Sequence, residues 1–368
     1  MAARLAGQGS DPDDLGRRRG GARINAYLAL ADGTVWPGES VGAEGHALGE
    51  AVFTTGMSGY QEAVTDPSFE DQLICFTAPM VGNYGVAEER SESARTHARA
   101  VLMREARGPE WTDWLRERGV VALTGIDTRS LVLHLRDAGS ALGIAVASGL
   151  TVEKAVELAA QQPSMLGRAL VEDVSTDEPY VYAEKGRARI AVVDYGVKNS
   201  VLRRLAKAGA AVTVYPHDTG AAELAGHDGV LLSPGPGDPE PLEAETDIVR
   251  ELLGRTHVLG ICLGHQLIAR ATGHETYKLP FGHRGANHPV LERLTGRVLV
   301  TSQNHGFAVK PSEAAEVSHV SLYDGTVEGL DLAQLRARSL QFHPEAGPGP
   351  HDAWPLLESW VNEVASNA

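Results

Sequence analysis

Only two cysteines, Cys75 and Cys262, occur in 368 residues. That is too few for a disulfide framework and fits a reducing, cytoplasmic setting. No apolar run approaches the ~20 residues needed to cross a bilayer, so no membrane role is expected. Basic residues are in deficit. The 33 Lys and Arg against 48 Asp and Glu leave a formal net charge of -15, which repels a polyphosphate backbone, and with no basic patch in the sequence nucleic-acid binding is not expected. The phosphate-binding pattern Gly-x-x-x-x-Gly-Lys-Ser/Thr is missing, so ATP is not expected on this chain. His283, His288 and His305 read as loop residues without the compact ligand spacing of a zinc site, and no metal is expected. The first residues lack the apolar segment of a secretory signal. Asp11, Asp13 and Asp14 oppose a transit peptide despite the run Arg17, Arg18, Arg19, and residues 1–23 read as a disordered tail.

What is present is an ordinary globular composition, 43% hydrophobic and 22% charged. The length exceeds what one core usually carries and points to two domains of roughly 150 to 200 residues. Order is expected from Ile24, with a hairpin formed by Tyr27–Leu30, the Asp32-Gly33 turn and Thr34–Trp36. Strands at Ala51–Phe53 and Leu73–Phe76 and helices at Glu110–Arg118 and Ser130–Arg136 make the first half mixed α/β without regular alternation. The stretch 175–188 is polar and reads as a linker. Beyond it, strands at Ile190–Val193, Ala211–Tyr215, Gly229–Leu232 and Val258–Ile261 alternate with helices at Asn199–Ala208 and Ala244–Leu253. That alternation predicts a mostly parallel sheet flanked by helices, with ligands at the carboxyl ends of its strands. Trp354–Val364 carries a helical apolar stripe suited to covering that sheet.

Cys262 sits where a buried strand meets a helix, in Val258-Leu-Gly-Ile-Cys-Leu-Gly-His-Gln266. Such an elbow exposes the sulfur, the helix N-terminus favours the thiolate, and the Leu263 N–H points where an oxyanion would form. The bland alternative is a core cysteine, for which the flanking glycines are poor packing. A catalytic cysteine needs a base, and the base an orienting group. Phe342-His343-Pro344-Glu345 offers both, with a strand ending at Phe342 and Pro344 spacing Glu345 to reach back to the imidazole. Alone the triplet could be a turn. Leu232-Ser-Pro-Gly-Pro-Gly-Asp-Pro239 follows another strand and could be a tight turn or a rigid loop bringing the Gly235 N–H to a tetrahedral intermediate. Cys75 lies inside an apolar strand and reads as core.

Taken in order, Gly-Ile-Cys-Leu-Gly-His-Gln, Ser-Pro-Gly-Pro-Gly-Asp-Pro and His-Pro-Glu resemble the triad (class I) glutamine amidotransferases. The pathway comes from further motifs: Gly56–Glu62 (Gly-Met-Ser-Gly-Tyr-Gln-Glu), Thr65-Asp-Pro-Ser68, Gly82-Asn83, Gly125-Ile-Asp-Thr-Arg129, Asp194-Tyr-Gly-Val-Lys198 and Phe281–Pro289. These resemble the small subunit of carbamoyl phosphate synthase, from Ile24 to the C-terminal helix. The resemblance implies an α/β architecture in which an N-terminal mixed α/β domain of that family (24–174) and the linker precede a class I amidotransferase domain (189–368). It implies Cys262 as nucleophile, His343 as proton relay and Glu345 as its support. Gly235 and Leu263 would be oxyanion donors, and Ser68, Gly235, Gly237, Leu263, Gln266, Asn304, Gly306 and Phe307 the glutamine-binding positions. Ser68 lies in the first half, which implies a pocket completed where the domains meet. The implied partner is a large synthetase subunit carrying ATP and magnesium, consuming bicarbonate and receiving ammonia. The product would feed arginine or pyrimidine synthesis. Pro234 stands where many relatives carry Asn; it has no N–H to donate, whereas Gly235 keeps its own. An amidotransferase of another pathway and a non-catalytic regulatory scaffold are the competing readings.

Overall fold

The computed structural model describes residues 4–5, 26–311 and 316–367. Apart from 4–5, the tail expected over 1–23 lies outside the described residues. The chain divides into two compact units, residues 1–165 with 280–282 and residues 166–279 with 283–368.

The first unit is built on an eight-stranded mixed sheet. Its strands are β1 (Arg4–Leu5), β2 (Ala26–Leu30), β3 (Thr34–Ser40), β4 (His46–Thr54), β5 (Gln72–Phe76), β6 (Ala100–Leu102), β7 (Val121–Thr124) and β8 (Ala141–Val146), in the order β1-β3-β2-β8-β4-β5-β6-β7. The expected hairpin is β2 and β3, antiparallel, with Leu28 opposite Trp36. Helices α1 (Tyr60–Thr65), α2 (Pro109–Glu117), α3 (Thr128–Ala138) and α4 (Val152–Gln161) cover the sheet. Strand alternation sorts the core by face. Val52, Ile74 and Phe76 pack with Trp111 and Leu115 of α2, while Ala51, Leu73 and Cys75 pack with Leu131 and Leu135 of α3. Cys75 is thus a core residue, and burial pushes its thiol pKa up.

The second unit holds a ten-stranded sheet: β9 (Tyr180–Ala183), β10 (Ala188–Asp194), β11 (Ala210–Pro216), β12 (Gly229–Leu232), β13 (His257–Ile261), β14 (Thr276–Glu292), β15 (Val298–Val309), β16 (Val317–Ser321), β17 (Val327–Leu332) and β18 (Ala337–Leu340). Its order is β15-β14-β16-β17-β18-β13-β12-β10-β11-β9. The block β18-β13-β12-β10-β11 is parallel. Along β10, Ile190 and Val192 face a core shared with α5 (Asn199–Lys207) and α9 (Trp354–Asn367). Ala191 and Val193 face the opposite core, closed by α6 (Ala221–Leu224), α7 (Glu243–Leu252) and α8 (Leu263–Ala271). Burial on both faces is why these strands read as continuous apolar runs.

Three features depart from expectation. The polar stretch 175–188 carries a strand of its own, β9, which pairs antiparallel with β11 within the second unit. Hydrogen bonding to an open sheet edge supplies what an isolated polar segment could not. The last strand before His343 ends at Leu340, not Phe342. His283, His288 and His305 stand on β14 and β15, not in loops. The long antiparallel pair β14–β15 hides its period behind two register shifts, so no clean alternation marks it in sequence.

Candidate active site

Cys262 ends the run into α8 with φ 53° and ψ -103°, a conformation an L-residue adopts at a cost of about 1–3 kcal/mol and keeps only where its surroundings hold it. They hold it here. The Cys262 N–H donates to Leu340 O at 2.8 Å. A Cβ on Gly260 would lie 2.5 Å from Gly264 O, and one on Gly264 would lie 2.3 Å from Leu232 O. The glycines flanking the cysteine are therefore demanded by backbone approach, and the sharp strand-to-helix turn follows from them.

The loop after β12 is pinned as closely. A Cβ on Gly235 would fall 2.1 Å from Tyr195 O, and Gly237 has φ +91° with its Cβ position 2.6 Å from Arg168 O. Asp238 N–H donates to Arg168 O at 2.9 Å, and Asp238 Oδ2 accepts from Gly167 N–H at 2.8 Å. The Gly-Pro run is thus a fixed edge beside the elbow, with Gly264 N–H donating to Ser233 O at 3.2 Å.

Beyond β18 the backbone of His343 bridges to β15, its N–H donating to Ser302 O at 2.9 Å. The imidazole Nδ1 lies 2.7 Å from Glu345 Oε1. Both side chains are buried, and so is Lys198, whose ammonium lies 2.5 Å from the same oxygen and 3.3 Å from Gly347 O. Burial favours the neutral acid at Glu345, but the charges of Lys198 and His343 outweigh it and hold the carboxyl well below its usual range. For His343, burial and the Lys198 charge push the pKa down. The Glu345 charge and hydrogen bonding with Cys262 and Glu345 prevail, and the net direction is up. Nε2 of His343 makes no well-aligned hydrogen bond at rest, although the Cys262 side chain beside it contributes to that rise. The cysteine and histidine 81 positions apart in sequence are thus neighbours.

Cys262 Sγ lies 3.6 Å from Asn304 O on β15. Gln266, one turn into α8, donates from Nε2 to Phe307 O at 2.8 Å and to Gln341 Oε1 at 3.1 Å. The second unit therefore brings Cys262, Leu263, Gln266, Asn304, Gly306, Phe307, His343 and Glu345 together around β13, β15 and the segment after β18. Ser68 belongs to the first unit, on the 3-10 turn Pro67–Phe69, where its N–H donates to Asp66 Oδ1 at 2.9 Å and its buried Oγ makes no hydrogen bond. Sequence reasoning assigned no role to Lys198. Its signals were membership of the Asp194-Tyr-Gly-Val-Lys198 motif and its place just after the strand bearing Asp194, whose carboxylate accepts from Gly196 and Val197 N–H and so turns the chain toward Glu345.

His283, His305 and Glu328 offer ligand-type atoms within 4.8 Å of one another, which their sequence spacing did not suggest. Neither His305 nitrogen is spare: Nδ1 lies 2.7 Å from Phe307 O and Nε2 2.9 Å from Gln303 Oε1. Hydrogen bonding describes this cluster better than a cation cage. Among the described residues no helix is long and apolar enough to cross a membrane.

Comparison with known proteins decides the family. Residues 191–362 match the model for glutamine amidotransferase class-I, and residues 28–145 that for the carbamoyl-phosphate synthase small chain, CPSase domain. The carbamoyl phosphate synthase small chain of Syntrophotalea carbinolica is 44% identical, with 94% of this chain and 99% of that one covered. The chain belongs to the carbamoyl phosphate synthase small chain family. The small chain of Xanthomonas campestris is 43% identical over 92% of this chain and 98% of that one. A pyrimidine-specific small chain of Lactiplantibacillus plantarum is 40% identical over 94% and 97%. Membership makes this chain the glutamine amidotransferase component of a glutamine-hydrolysing carbamoyl phosphate synthase, with a large chain as its general partner.

Proposed function

We propose that glutamine is hydrolysed at Cys262, with His343 as the proton carrier and Glu345 as its orienting group. Cys262 gives its proton to His343 Nε2, and the thiolate attacks the side-chain amide carbon of glutamine. The oxyanion that forms is held by the Gly235 and Leu263 N–H groups. The imidazolium returns the proton to the departing nitrogen, ammonia leaves, and a thioester remains. Water then adds with His343 as base, glutamate departs, and the thiol is restored. Ser68, Gly235, Gly237, Leu263, Gln266, Asn304, Gly306 and Phe307 bind the substrate in this reading, their hydroxyl, amide and backbone groups suiting an amino acid's polar ends. Ammonia passes to the large chain, which holds ATP and magnesium and combines it with bicarbonate. Two free cysteines suit a cytoplasmic enzyme.

The observation that carries the reading is the 2.7 Å contact of His343 with Glu345, with the strained cysteine beside the same imidazole. The test is reconstitution with the large chain. Cys262→Ser should lower glutamine-dependent carbamoyl phosphate synthesis by several orders of magnitude, up to about 10⁶ by the scale of lost triad nucleophiles, while ammonia-dependent synthesis persists. Unchanged glutamine-dependent synthesis would make this chain a scaffold.

A further inference from the structure

Behind the face of β15 that carries Asn304 O toward the cysteine, the side chains of Thr301, Gln303, His305 and Phe307 alternate to the opposite face. Gln303 is the middle of a chain of contacts there. Its amide lies 2.8 Å from Glu328 Oε2 on one side and 2.9 Å from His305 Nε2 on the other, and His305 Nδ1 lies 2.7 Å from Phe307 O. All are buried, with Glu328 0% exposed.

Donor and acceptor counting constrains this line. Phe307 O only accepts, so His305 Nδ1 carries a proton. With the Gln303 oxygen toward His305, Nε2 must carry one too, making an imidazolium opposite an ionised Glu328. With the amide turned by half a rotation, its NH2 donates to a bare Nε2 and its oxygen accepts from a protonated Glu328 and from the Thr301 hydroxyl 3.2 Å away, which then turns from His288 O. Both arrangements hold the same number of protons. The second separates no charge among buried side chains, and is favoured there. The neighbours agree. His283, Arg284 and His288 face His305, and together with burial they push its pKa well down. Burial likewise raises Glu328, against hydrogen bonds from His283 and Gln303 and the charge of His283, with Asp324 adding to the rise. Removing the shared proton would leave two acceptors face to face.

We propose that Glu328, as a neutral carboxylic acid, acts through Gln303 and His305 as a positioning residue that holds the backbone of Asn304–Phe307 in place for glutamine. The line ends on Phe307 O, the same oxygen that accepts from Gln266, so a slack strut loosens both. This rests on the reading of Cys262 as the glutamine-hydrolysing centre.

The experiment compares Glu328→Gln, which keeps a neutral donor, with Glu328→Leu, which removes it, in the full chain paired with its large chain. Glu328→Gln should keep the KM for glutamine within about twofold, whereas Glu328→Leu should raise it about tenfold or more with a smaller change in kcat. Wild-type KM should rise on the alkaline side, where Glu328 loses its proton, and that limb should vanish in Glu328→Gln. On the free full chain, nitrogen NMR of labelled histidine should show His305 neutral, protonated at Nδ1, in the wild type and Glu328→Gln. An unchanged KM in Glu328→Leu, equal damage in Glu328→Gln, an imidazolium at His305 near pH 7, or a stoichiometric divalent ion held by this cluster would each overturn the proposal. A wild-type chain that hydrolyses no glutamine would instead refute the Cys262 reading, with the NMR still testing the strut.

Discussion

Replacing Lys198 by Met removes the ammonium 2.5 Å from Glu345, at a place where the two side chains are 3% and 0% exposed. The carboxylate is then buried with only His343 to offset it. Removing one partner of a buried pair costs about 3–5 kcal/mol, chiefly because the other charge is left uncompensated. At about 2–4 °C per kcal/mol for a unit of this size, the thermal transition of the second unit should fall by roughly 6–20 °C. Glu345→Gln should cost a similar amount by stranding the ammonium. The double variant Lys198→Met/Glu345→Gln strands neither, so it should be more stable than the summed single losses allow, by about 2 kcal/mol or more of coupling. Calorimetry on the four proteins reads this directly. A second readout follows from the sign of the Lys198 field, which pushes the His343 pKa down. Without it the imidazole should stay protonated to higher pH, and the alkaline-side profile of glutamine hydrolysis should move upward. A Lys198→Met protein within about 0.5 kcal/mol of wild type, or strictly additive losses in the double variant, would refute the view that this lysine and carboxylate stand as a mutually dependent buried pair.

Gly264→Ala places a Cβ 2.3 Å from Leu232 O, a backbone atom that cannot swing away; chemical denaturation should show a loss of at least about 1–3 kcal/mol, and glutamine hydrolysis should fall with it because the elbow must shift. For His283, burial lowers the pKa, but the carboxylate side, led by the 2.9 Å hydrogen bond with Asp324, wins and raises it to about 9. Its stabilising contribution is therefore full below about 6.5, the unfolded value, and is lost as pH rises toward 9. Denaturation curves across that window should show a steeper decline for the wild type than for His283→Gln, by up to about 1.4 kcal/mol per pH unit.

The local chemistry of the second unit was legible because it is written in contiguous residues. Gly260 and Gly264 mark an elbow on either side of Cys262, the first through a contact with Gly264 four residues on, and β10 to β13 declare themselves by short apolar runs between amphipathic helices. His343 and Glu345 stand two positions apart and need only a proline between them to set their reach. Strands β14 and β15 were missed because bulges break the alternation that would mark them, and β9 because its stability comes from the edge of β11 and not from its own composition.

What the sequence determined alone was where the elbow, the Gly-Pro edge and the His-Pro-Glu turn lie, because each is written in contiguous residues, whereas the backbone groups that Gly235, Gly237 and Gly264 must let approach, Tyr195 O, Arg168 O and Leu232 O, are brought up by the fold. Only the tertiary structure set Lys198 against Glu345 across nearly 150 positions and gathered Gln303, His305 and Glu328 behind β15. Lys198 and Glu345 meet because parallel strands must be joined by distant crossovers, the groups on β15 and β17 because antiparallel pairing sets those strands side by side, and both because a charge or amide taken out of water must find its partner wherever the packed sheet supplies one.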